Sequence, residues 1–147
     1  MPFTTYFDQK LILWAIGQMA YTLPATFYVG LSSTPPSQIR QGTPAWDFSE
    51  PAGNNYARVA VPNDQAHWVP LGAQPPTGYS MTNKLAITYQ QSSGAWIGGA
   101  NLPFFGLWDA LLGGNLLVFG NCQPAQAVGA GNITLSIAVN ALTATIN

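Results

Sequence analysis

Residues 8–33 read DQKLILWAIGQMAYTLPATFYVGLSS, and in this stretch a helical apolar period gives way to strand chemistry. Thr5 is placed to act as N-cap, with Asp8 three residues later in an approximate capping box. Ile12, Ile16, Met19, Ala20 and Leu23 recur at helical spacing and predict one buried stripe. Phe7, Leu11 and Trp14 make a second, flanking stripe, so the helix is apolar over much of its circumference. Pro24 disfavours helical geometry at Leu23, which sets the expected helix at about 5–22. Thr26, Phe27, Tyr28 and Val29 are β-branched or aromatic and predict a strand running to Gly30 and Leu31. The tandem prolines Pro35 and Pro36 end it, because proline donates no ladder hydrogen bond. A helix this apolar needs a sheet to cover it.

Outward from that junction the chain supplies strands. Residues 56–61, YARVAV, alternate with Ala57, Val59 and Val61 on one face, and Pro62 closes the run. Strand-like pieces follow at 67–69, 85–89, 95–97, 133–137 and 142–146. Residues 102–110 and 115–121 flank Leu111-Leu112-Gly113-Gly114, the clearest hairpin signal in the chain, with Asp109 as a turn residue. Two stretches, 34–55 and 63–78, are rich in proline, glycine and polar residues and read as long loops. The sum is about eight short strands and one N-terminal helix. The predicted fold is mainly β: an antiparallel β-sandwich or jelly roll, in a single domain spanning 1–147.

Charge decides which functions are open. Charged residues make up only 6% of the chain against 48% hydrophobic, where about 25% charged is usual. The cations are Lys10, Arg40, Arg58 and Lys84, too few to neutralise a phosphate backbone, so nucleic acid is not expected as a partner. The most apolar run, 11–20, contains Gln18 and is too short to span a membrane, and no signal peptide is expected at the N-terminus. Cys122 is the sole cysteine, which reads as a small buried hydrophobe in a protein made in reducing cytoplasm. Apolar surface with few charges points to assembly with partners.

Chemistry-bearing residues are sparse. Asp47 and Glu50 lie in the proline-rich loop, where a solvated role is expected over paired acid–base work. His67 stands three residues after Asp64, in reach of a local hydrogen bond, but no nucleophile elbow accompanies it. His67 and Cys122 have no metal-ligand spacing, and Gly98-Gly99 leads into no helix that would cradle phosphate. The expectation is no enzyme, no catalytic residues, no metal and no cofactor. Arg58, on a strand face between Tyr56 and Ala60, is expected to pair with one of the few acids, whose identity the sequence leaves open. Trp46, Trp68, Trp96, Phe104, Phe105 and Trp108 would suit a sugar-stacking platform, but core and subunit interface are the expected uses. Trp46, Phe48, Trp68 and Arg58 are the candidate interface residues.

The segments ATFYVGLSSTPP, NNYARVAV, FFGLWDALLGGNLLVFG and GAGNITLSI, in that order after a helix, resemble a group of small virion proteins of tailed bacteriophages. Its members are labelled tail fibre, minor structural or capsid decoration proteins. The resemblance implies a β-sandwich component of the virion, assembled in the host cytoplasm by non-covalent contacts, and carries no active-site residues. The expected role is a capsid decoration (cement) protein held by the major capsid protein or other virion proteins. The alternative is a tail fibre or baseplate component that binds a host-surface receptor or glycan. Absence of a coiled-coil or β-repeat shaft favours decoration. A homo-oligomer is expected, and the habit of decoration proteins to sit at threefold positions implies a trimer.

Overall fold

The computed structural model describes residues 3–36, 48–71 and 79–146. The helix α1 (Thr5–Ala15) leads into β1 (Thr26–Ser32), then β2 (Val59–Pro62), β3 (Trp68–Leu71), β4 (Tyr79–Asn83) and β5 (Ile87–Thr88). After a 3-10 turn at Trp96–Gly99 come β6 (Leu102–Trp108), β7 (Leu116–Gln126), β8 (Ser136–Ile137) and β9 (Leu142–Ile146). Seven strands form one curled antiparallel sheet in the order β2-β1-β6-β7-β9-β4-β3, and β5 pairs with β8 in a second, small sheet. The mainly β, antiparallel, one-helix architecture read from the sequence is the one observed.

Period-two alternation explains the two faces of the large sheet. Phe27, Val29 and Leu31 of β1, Phe105 and Leu107 of β6, and Val118 and Cys122 of β7 point to the concave side and make the main core. Ile87, Tyr89, Trp96, Leu135 and Ile137 close that core from above, and the Tyr89 hydroxyl donates to the Val29 carbonyl at 3.0 Å. Tyr28, Trp108, Leu116 and Phe119 point the other way and gather around Phe48 as a small outer cluster. A register shift between Leu107 and Trp108 leaves Leu117 unmatched on β7, so Leu117 joins Val118 in the main core.

The structure departs from the sequence reading at the helix. The N-cap is Thr4, one residue before the expected Thr5: its Oγ1 accepts from Phe7 N at 3.3 Å and donates to Leu116 O at 2.6 Å. The helix ends at Ala15 instead of about 22, because Gly17 takes φ +73. Gln18 N then bonds Leu13 O at 2.9 Å and Gly17 N bonds Trp14 O at 3.1 Å, a Schellman closure that needs a left-handed residue at Gly17. Chain 18–24 turns back beside the helix, with Tyr21 against Phe7 at 6.0 Å between ring centroids. The expected buried stripe is exposed: Ile12 is 61% and Ile16 63% accessible, and Met19 and Leu23 are open too. Only Phe7 of the helix is buried, against a sheet that reaches just its first turns.

Smaller corrections follow from tertiary context. The stretch expected as a loop at 63–78 contains β3, in which Pro70 is tolerated because β3 is an edge strand. Residues 95–97, expected as a strand, enter the 3-10 turn, since Ile97, Gly98 and Gly99 all have positive φ. β4 carries too little apolar character to be read from sequence. Its Thr82 and Asn83 are buried, and Asn83 binds the Leu85 and Ala138 carbonyls and the Leu142 N–H.

Candidate functional site

Two of the few charges, Glu50 and Arg58, are used inside the fold. Glu50 follows Phe48 along the outer face of the sheet, where the cross-strand pair Gly30 and Gly106 leaves room. A Cβ on Gly30 would meet the Glu50 carboxylate, and one on Gly106 would meet the Phe48 ring. Arg58 closes over this dimple with its guanidinium 3.7 Å from the centre of the Trp108 ring. Its Nη2 lies 2.6 Å from Glu50 Oε2, and Nε donates to both carboxylate oxygens at 3.0 and 3.1 Å. Nη1 donates to Ala110 O at 2.9 Å and Gly113 O at 2.8 Å, which pins the 109–115 turn. Tyr56 completes the cluster: its hydroxyl donates to Glu50 Oε1 at 2.8 Å and accepts from Leu31 N at 2.9 Å. Burial, then the neighbouring Tyr89 and Glu50, hold the Tyr56 phenol far above its ordinary pKa. This is a clasp that fixes a turn, and the acid that Arg58 selects is Glu50.

The candidate interface residues divide accordingly. Phe48 and Trp68 are buried in the chain itself: Phe48 stands edge-on to Trp108 at 5.5 Å, and Trp68 edge-on to Phe27 at 6.2 Å. Trp68 also donates its indole N–H to Pro62 O at 3.0 Å. Arg58 is enclosed in the clasp. Trp46, with Asp47, lies outside the described residues. Trp96, Phe105 and Trp108 are core as well, and Phe104 is half-buried. The described tryptophans therefore form no exposed sugar-stacking platform, and Trp14 alone among them is open.

Of the remaining ionisable groups singled out in the sequence, only Asp64 and His67 come together among the described residues. His67 Nδ1 and Asp64 Oδ1 are 2.6 Å apart, as the spacing suggested. That hydrogen bond is the main reason the Asp64 carboxyl lies below its ordinary value. The same oxygen accepts from Ala66 N and His67 N, so the pair caps a turn. Cys122 is enclosed in the main core, where burial pushes its thiol up to about 11. Among the described residues, no three His, Cys, Asp or Glu side chains come together in a way that would hold a metal. No helix is long and apolar enough to cross a membrane.

What the chain does expose is apolar. Ten large hydrophobic side chains are open among the described residues, and Ile12, Trp14, Ile16, Met19, Leu23, Leu111 and Leu112 are seven of them. The first five lie on the helix and its return; the last two sit on the turn that Arg58 pins. Sequence reasoning missed this surface because it assigned the helical stripe to the core. Gly17 is the signal that would have ended the helix early.

Enclosing the Glu50–Arg58 pair while leaving large apolar side chains open suits a protein covered by other proteins. The class is a structural protein of the bacteriophage virion, since the chain matches, over residues 2–145, the family model described as Podophage GP4 fiber I protein gp80. The chain belongs to that family. It is a component of the virion, in contact with other virion proteins. No curated protein matches the sequence significantly.

Proposed function

We propose that this protein is a fibre component of a podophage virion, a non-catalytic building block held in place by apolar contacts. The observation that carries the reading is the family match over nearly the whole chain. The geometry supports it. Glu50 and Arg58 are enclosed in the clasp, Asp64 and His67 cap a turn, and large apolar side chains stay open on the helix, its return and the 109–115 turn. The buried tryptophans favour a scaffolding role over glycan capture within the described residues.

The shell-decoration role expected from the sequence, with the major capsid protein as partner, is the competing outcome. Imaging of intact particles with a tag-specific label on this chain tests the two. Signal on the fibres or the tail region supports the proposal. Signal spread over the capsid lattice overturns it in favour of decoration, and absence from purified particles overturns both.

A further inference from the structure

The seven-stranded sheet ends in two edge strands, β2 and β3. An edge strand turns the N–H and C=O of alternate residues outward, a ready template for a strand from another chain. Hydrogen bonds just beyond the two strands fix which residues these are. Beside β2, Asn63 N donates to Ala25 O at 2.9 Å, continuing the register that pairs Val61 with Phe27. Val59 and Val61 therefore bond to β1, and Ala60 and Pro62 turn outward. Beside β3, Lys84 N donates to His67 O at 2.7 Å, continuing the register that pairs Trp68 with Asn83. Val69 and Leu71 therefore bond to β4, and Trp68 and Pro70 turn outward.

Each edge thus has a proline at an outward position, where any other residue would offer an N–H to an incoming strand. The other outward residue of β3, Trp68, spends its N–H on Asp64 O at 3.1 Å, so β3 turns no free donor outward. On β2 the Pro62 carbonyl is taken by the Trp68 indole at 3.0 Å, which leaves Ala60. Ala60 lines a cavity of about 210 Å³ whose far wall is the 85–88 chain, so a strand approaching β2 meets that wall first. Pro62 and Pro70 are both exposed, so core packing does not account for them. The two strands read VAVP and WVPL and carry no charge, the other common guard of a sheet edge.

We propose that both edges are closed to strand addition, β3 by Pro70 and β2 by Pro62 with the 85–88 wall. Neighbouring chains then meet this protein through side chains and do not extend its backbone ladder. The reason is the alternation of donors and acceptors that an added strand requires. An edge that supplies acceptors alone forms at most half of those bonds. With only 6% charged residues in the chain, proline does at these edges what lysine commonly does elsewhere.

The proposal does not rest on where the chain sits in the particle, because it concerns the edges of the isolated chain. Pro70→Val tests it, since it restores the outward N–H and leaves Val69 and Leu71 to hold β3 on β4. Pro70→Ala restores the same N–H with a smaller side chain, which separates backbone pairing from apolar adhesion. Sedimentation velocity across a concentration series and amide hydrogen exchange followed by NMR are the readouts. Both variants are expected to keep the melting temperature and to dimerise at least about tenfold more tightly than the wild type, because a symmetric edge pairing gains two hydrogen bonds. The residue-70 amide is expected to be protected in the dimer. The Ala60 amide of the wild type is expected to exchange freely at every concentration. Variants that sediment like the wild type with the residue-70 amide unprotected overturn the proposal. So does association of Pro70→Val alone, a lowered melting temperature without new pairing, or protection of the wild-type Ala60 amide as concentration rises.

Discussion

Arg58 joins three segments that are far apart in sequence: the 48–50 chain, β6 through Trp108, and the 109–115 turn. Removing one partner of such an enclosed pair strands the other, so Arg58→Ala is expected to cost about 3 kcal/mol in urea unfolding. Arg58→Lys is expected to restore only part of it, since ammonium matches neither the forked carboxylate contact nor the stacking on Trp108. The buried Tyr56, Tyr89 and Cys122 set a second test. Burial raises all three pKa values, Cys122 from 9.0 to about 11. Their neutral forms stabilise the fold fully below pH 9. Above it the unfolded chain sheds these protons while the folded chain keeps them, so stability falls as pH rises towards 11. Melting temperatures should therefore decline as pH rises above 9, with tyrosinate absorbance appearing together with unfolding. Phenolate absorbance from Tyr56 or Tyr89 while the fold persists would contradict the burial argument.

At the scale of elements, the helix separates what holds the fold from what faces outward. Thr4 caps α1 and ties it to β7 through one hydroxyl, so Thr4→Ala is expected to lose about 1–2 kcal/mol in chemical denaturation. Ile16 is one of the least protected apolar residues, and Ile16→Asp should change monomer stability by less than about 0.5 kcal/mol. The contrast is the check: a large loss at Ile16 would put the stripe back in the core. The hairpin of β6 and β7 was legible from Leu111-Leu112-Gly113-Gly114 and Asp109, because turn chemistry is local. The extent of the helix was misread because Pro24 is a familiar stop signal, whereas Gly17 ends the helix seven residues earlier.

Over the whole molecule, the low charge count governs how the protein meets its partners. Contacts built from Ile12, Trp14, Ile16 and Leu112 carry no ion pairs for salt to screen. Retention of the chain on purified particles is therefore expected to be nearly unchanged between low and molar salt. Mild denaturant, which solvates apolar surface, is expected to release it. A steep loss in salt alone, followed by immunoblotting of washed particles, would show that charged contacts hold the chain instead.

The sequence by itself determined the mainly β, antiparallel class, several of its strands, the tight hairpin and the kinship with phage virion proteins. Each is written in short-range pattern: alternation in residues 26–31, turn residues at 109–114, and the segments that carry the resemblance, such as YARV and FFGLWDA. Only the tertiary structure decided that Glu50 receives Arg58, that Phe48 and Trp68 are buried within the chain, and that the apolar stripe of α1 faces outward. The physical reason is that period shows which residues share a face, whereas burial depends on what else reaches that face. In this chain the sheet ends beneath the first turns of α1 and leaves the rest of the helix uncovered.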